Sequence, residues 1–187
     1  NFFNMRSFIF FIIGFALLSC SINNKNSVKR KQFKFDTQYN QFYIEDSRDK
    51  KGDSASPNFW NEKAFKERLA LTDGIIGVGT QSYGNIKGEI ELLEKPNTNI
   101  DYSKYDHIVE GGINIQSGEL QILDCPNSHL ELSLKVTPGK YMVRVYSSNL
   151  ASVKEADLAN DTDNDYYRIE MWPSKETELK VLKQYIE

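Results

Sequence analysis

The densest run of chemically competent side chains lies between Glu155 and Asp165, with Glu155, Asp157, Asp161, Asp163 and Asp165. Asp161-Thr162-Asp163-Asn164-Asp165 sets carboxylates at alternate positions, as calcium loops do. An EF-hand loop counted from Asp161 needs Gly at its sixth position and Glu at its twelfth, where this chain has Tyr166 and Trp172. A different calcium geometry stays open, but the run reads first as a solvated acidic loop. With the adjoining Tyr166 it is the candidate binding surface for a partner.

Cys125 is followed four residues later by His129, and a Cys–His nucleophile needs the imidazole within hydrogen-bond reach and a third, orienting group. His129 falls on the wet face of its strand, so Cys125 is expected to be a small core filler. Asp106-His107 lacks a serine on a G-x-S-x-G elbow. Gly74, Gly77 and Gly79 follow a helix and enter a strand, the reverse of the order that phosphate binding requires. No residue set asks for a cofactor or a resident metal. Tyr102, Tyr105, Tyr141, Tyr146, Tyr166, Tyr167 and Trp172 could serve an interface or a sugar platform, although a sandwich core must absorb some of them.

One further cysteine has chemistry of another kind. Met5-Arg6 precedes an apolar run, Phe8 to Leu18, too short to cross a bilayer. It ends in Leu17-Leu18-Ser19-Cys20, which is similar to a bacterial lipobox with Cys20 as the lipid-attachment residue. Residues 1–19 are thus expected to be a signal peptide, and residues 20–34 a lipidated cysteine and flexible tether. The expected location is the bacterial cell envelope, lipid-anchored, on the periplasmic face of a membrane if the cell has two.

The chain has 23 Lys and Arg against 26 Asp and Glu, but the tether takes the cations. From Phe35 onward the balance is 17 against 26, or −9. A body this acidic argues against direct nucleic-acid binding and fits a basic protein partner. Two cysteines exclude a disulfide framework and a four-thiolate zinc module.

Period-two alternation dominates what must position these residues. It marks strands at Ile86–Leu92, Leu130–Val136 and Tyr141–Val145, with the last two joined by the turn Thr137-Pro138-Gly139-Lys140. Further strands are expected at Phe33–Glu45, Ile75–Tyr83, His107–Gln116, Glu119–Leu123 and Tyr166–Met171. Helices are expected at Asn58–Thr72, stopped by Asp73-Gly74, and at Lys175–Tyr185. The fold class is mainly β: an antiparallel β-sandwich of about eight strands over residues 35–174, with one or two peripheral helices, the C-terminal one within residues 175–187.

Tyr39-Asn40-Gln41-Phe42, Trp60, Asp73-Gly74-Ile75, Gly112-Ile113-Asn114-Ile115-Gln116-Ser117 and Pro138-Gly139-Lys140-Tyr141 follow one another in an order that resembles the competence protein J family, inhibitors of a DNA-entry nuclease. Asp165 to Pro173 resembles that family's closing strand. The resemblance spans Tyr39 to Pro173 and matches framework positions, so it carries over no inhibitory residue. It implies a small β-sandwich that silences a nuclease and is not itself an enzyme. The signal, tether and C-terminal extension depart from it. Together these features lead to an envelope-anchored, immunity-like inhibitor of a nuclease or toxin. The alternative is a ligand- or carbohydrate-binding lipoprotein module.

Overall fold

The computed structural model describes residues 29–48 and 51–186. Cys20, the signal segment and residues 21–28 lie outside the described residues.

Two sheets face each other. The six-stranded sheet runs β1 (Lys29–Thr37), β5 (Gly84–Leu92), β10 (Tyr166–Pro173), β9 (Gly139–Ser148), β6 (His107–Ile115), β11 (Lys180–Lys183). The five-stranded sheet runs β3 (Leu69–Thr72), β4 (Ile75–Gly79), β2 (Gln41–Asp46), β7 (Glu119–Leu123), β8 (Leu130–Lys135). The β-sandwich is therefore as expected, with more strands than the alternation revealed. Every strand pair is antiparallel except β5 with β10, where Tyr166 to Met171 run alongside Lys87 to Leu92. Phe33, Phe35, Phe42, Ile44, Ile86 and Tyr167 are among the buried residues between the sheets. Gly88 is required at the β5–β10 seam: a Cβ there would lie 2.1 Å from the Tyr167 carbonyl and 2.5 Å from the Phe33 ring.

Four expectations are corrected. Residues 29–34 are not tether but the first part of β1, because Phe33 and Phe35 are core residues and the whole strand pairs with β5. Two of the cations that suggested a linker have partners: Arg30 pairs with Glu91 (2.7 Å), and Lys31 donates across to the Ser133 carbonyl of β8 (2.8 Å). Phe33–Glu45 is two strands, since Tyr39 and Asn40 both take left-handed φ (56° and 54°) and turn the chain from one sheet to the other. The Asn58–Thr72 helix shrinks to α1 (Glu62–Glu67): Asn61 caps it, Arg68 in left-handed φ ends it, and Leu69 onward is extended. Asp73-Gly74 is accordingly the β3–β4 turn. The Thr137–Lys140 turn likewise joins the two sheets, because β8 pairs with β7 while β9 pairs with β6 and β10.

The C-terminal helix is the fourth correction. Residues 180–183 form β11, which closes the β6 edge, with Leu179, Val181 and Tyr185 packed against the core. The backbone hydrogen bonds that β6 offers outweigh the helical spacing of Leu179, Leu182 and Tyr185. Beyond β11, the Tyr185 N–H donates to His107 Nδ1 (3.2 Å), and His107 Nε2 donates to the Glu67 carbonyl (3.0 Å). Both ring nitrogens are thus committed to the neutral form. Burial pushes the His107 imidazole down to about 4 from its ordinary 6.5. The unfolded chain binds this proton below pH 6.5 and the folded one does not. The resulting stabilisation is complete above pH 6.5 and is lost as pH falls toward 4, a drop on the order of 3 kcal/mol. Urea denaturation across this range should show the slope, and His107→Gln should flatten it.

Candidate functional site

The strand registers gather the candidate residues at one end of the sandwich. Thr37 lies opposite Gly84, Lys87 opposite Tyr166, and Ser148 opposite Tyr166, so β1, β5, β9 and β10 all terminate or begin there. The chain between β9 and β10 forms the acidic loop at this end. Its start is held by buried Leu150 and Val153, and the Leu150 N–H donates to Asp106 (2.9 Å).

Asp165 holds its other end, and here the sequence misleads. Asp165 is 1% exposed, and its Oδ2 accepts from Ser82 N–H and Oγ (both 3.0 Å), Gln81 N–H (3.3 Å) and the Tyr167 hydroxyl (2.5 Å). Burial, then the Asp165 carboxylate, pushes the Tyr167 hydroxyl well above its ordinary range, so it stays protonated and donates. Asp165 is a structural acid that the solvent does not see. Alternate spacing alone did not distinguish it from its neighbours.

The rest of the run behaves differently. Glu155, Asp157 and Asp161 are exposed, and Asp163 is half-buried, accepting from the Asn160 N–H (3.2 Å). Tyr166 points to the outer face of the sheet, where burial and then the Glu89 carboxylate raise its hydroxyl above the usual value. The structure therefore separates the six predicted residues into a solvent-facing group, Glu155 to Asp163, and two that belong to β10 and its anchor. Among the described residues no three His, Cys, Asp or Glu side chains converge to hold a metal.

Two contacts fix the loop against the body. Asn40 Nδ2 donates to the Ala156 carbonyl (2.6 Å) and to the Gln81 carbonyl (3.0 Å), which ties the loop to the β1–β2 turn. Gly84, at φ 123°, lets Ala159 approach so closely that an added Cβ would lie 2.7 Å from the Ala159 Cβ. Between loop and sheet is an open hollow of about 640 Å³ lined by Lys34, Lys87, Asn85, Asn160, Asp161 and Asp163.

A second hollow of about 400 Å³ adjoins the turn on its other side, lined by Asp36, Gln38, Asp124, His129 and Glu131. Burial, then the neighbouring Asp124 carboxylate, raises Glu131 above the usual carboxylate range. His129 pairs with Asp124 (3.2 Å), while buried Cys125 accepts from Gln41 Nε2 (3.2 Å) and lies 4.0 Å from the Tyr43 hydroxyl. The thiol is the core filler expected.

A further set of acids, on the outer face of the six-stranded sheet, is internally paired. Arg144 bridges Glu110 (2.6 Å) and Glu170 (3.4 Å), and Arg168 bridges Glu89, Glu91 and Glu170 at 2.8–3.0 Å. Asn97 reaches into the same network, accepting from Arg144 through its carbonyl (2.9 Å) and donating to Glu170 (3.3 Å). Of the aromatic supply, Tyr141, Tyr146, Tyr167 and Trp172 are buried.

No protein-family model matches the chain, and no curated protein matches it. Two solved structures do. One is ComJ, inhibitor of the DNA degrading activity of NucA, from Bacillus subtilis, with a TM-score of 0.57 and 19% identity over 79% of this chain and 98% of that one. The other is described as crocagin biosynthetic gene J, with a TM-score of 0.50 and 14% identity over the same shares. The likeness at these identities is one of fold: this chain has a ComJ-like sandwich.

The anchoring role of Asp165 is directly testable. Asp165→Ala leaves several buried donors unmatched and should cost about 3 kcal/mol or more in denaturant unfolding. It should also make the Lys154 bond, at the edge of the loop, more sensitive to trypsin. Tyr167→Phe, which removes the bond to Asp165 and the one the hydroxyl accepts from the Gln81 N–H (2.8 Å), should cost about 1–3 kcal/mol.

Proposed function

We propose that this chain is a protein inhibitor that binds and neutralises a nuclease or related toxin, in the manner of an immunity protein. The supporting observation is the ComJ-like fold, which extends over 98% of the length of a protein whose described role is to inhibit a DNA-degrading activity. The acidic end of the sandwich adds a mechanism. A nuclease presents cationic groups to phosphate, and an exposed set of carboxylates meets that field and excludes DNA by occupying its site. The carbohydrate-binding alternative depends on stacking rings, and most of the rings that suggested it are buried.

In this reading Cys20 carries the lipid and holds the inhibitor at the envelope, where it meets a toxin arriving from outside. Cys20→Ser should release the chain from membranes or block its maturation, read by fractionation and intact mass. A variant still membrane-bound at the lipidated mass overturns the anchor.

The inhibitor reading is tested with the tagged full chain, captured from the native envelope with whatever it binds. Added back to a captured nuclease, the chain should inhibit DNA degradation in competition with DNA. Its association rate should fall as salt rises, because steering is screened over about 8–10 Å at physiological ionic strength. Replacing Glu155, Asp157, Asp161 and Asp163 by their amides, with buried Asp165 left intact, should slow association at low salt and change dissociation less. Association independent of salt excludes the electrostatic mechanism, and absence of any inhibited nuclease excludes the function.

A further inference from the structure

Tyr39 is the unexplained residue of the acidic end. It sits at the tip of the β1–β2 turn with φ 56°, a left-handed conformation that is a genuine outlier for a bulky side chain. Glycine would serve the turn without strain. The ring does not recover the cost by burial, because Tyr39 is 63% exposed. Strain held in place by its surroundings, at a residue with no packing reason for it, points to a binding role.

The surroundings do hold it. Asn40, the next residue, bonds the Ala156 and Gln81 carbonyls, so the turn and the acidic loop form one rigid surface. Leu158 on that loop is 55% exposed. On the loop side the turn is flanked by Glu155 and Asp157, and on the other side Gln38 leads into the hollow of Asp36, Asp124 and Glu131. Of the cations nearby, Lys87 is bonded to Asn164, and Lys34 lines both hollows.

We infer that the β1–β2 turn and the acidic loop together form a docking platform for the cationic face of a protein, with Tyr39 as its aromatic anchor. An exposed tyrosine in a turn bonded to an acidic loop suits a guanidinium-rich surface: the ring offers its face to the cation and the acids supply the charge complement. Nucleic acid and anionic lipid are repelled by the same acids. The inference rests on the inhibitor reading for the identity of the partner, but not for the location of the surface.

The test places a photoreactive p-benzoylphenylalanine at position 39 of the full chain in its native cells, and at Lys140, at the opposite end, as control. The expected adduct forms from position 39 with one basic protein, identified by mass spectrometry, and not from position 140. Tyr39→Gly should then weaken binding of that purified protein by about 30-fold or more. Its melting temperature should stay the same or rise, since the turn is relieved of strain. A basic partner without nuclease activity leaves the platform standing and removes the inhibitor reading. No adduct from position 39, an adduct from position 140 instead, or undiminished binding by Tyr39→Gly overturns the platform.

Discussion

The hydrogen bonds that converge on the Asp165 carboxylate are the constraint on which the acidic end depends. Tyr167 is fully buried against Phe42, in a strand paired on both sides, and its hydroxyl must find a partner inside the protein. Asp165 supplies it, and in doing so takes up the donors of Ser82 and shares the Gln81 N–H with the Tyr167 hydroxyl (2.8 Å). A demand set by core packing thereby fixes where the acidic loop ends. The same Gln81 offers its carbonyl to Asn40, so the β1–β2 turn inherits its position from the core.

The excess of acid is divided between two environments with different uses. Glu89, Glu91, Glu110 and Glu170 are nearly buried on the outer sheet face and matched by Arg30, Arg144 and Arg168. Groups paired this way specify how β1, β5, β9 and β10 sit side by side and offer little to a visitor. Glu155, Asp157 and Asp161 have no such enclosure. The formal charge of the body therefore overstates what a partner meets, and its usable part lies at one end.

Alternation was a sound guide wherever apolar and polar residues take opposite faces of a strand, as in β5 and β8. It failed where tertiary pairing decided the outcome. Leu179 and Leu182 fit a helix as well as a strand, and only the free edge of β6 selects the strand. Lys29 to Lys34 look like a linker until Phe33 is seen to need the core, because their charges mask a period of two. The lipidation signal at Cys20 is a reading of sequence alone. The candidate site was half legible: a run of carboxylates announces a charged loop, but nothing in the spacing says that Asp165 turns inward. Tyr39 was hidden for a related reason, since it reads as a strand residue unless the left-handed pair it forms with Asn40 is recognised.

The order of strands in the six-stranded sheet has a temporal consequence. Of its neighbouring pairs, only β9 with β10 joins strands that are consecutive in the chain. β1 must wait for β5, and β5 remains half-paired until β10 arrives alongside it. A ribosome delivering the chain from its N-terminus cannot release a finished six-stranded sheet before Lys183 has emerged, and such non-local pairing makes closure slow. The five-stranded sheet has all its strands by Lys135, so the last stretch of chain, Tyr166 to Lys183, is what completes the sandwich: it joins β5 to β9 and closes the β6 edge.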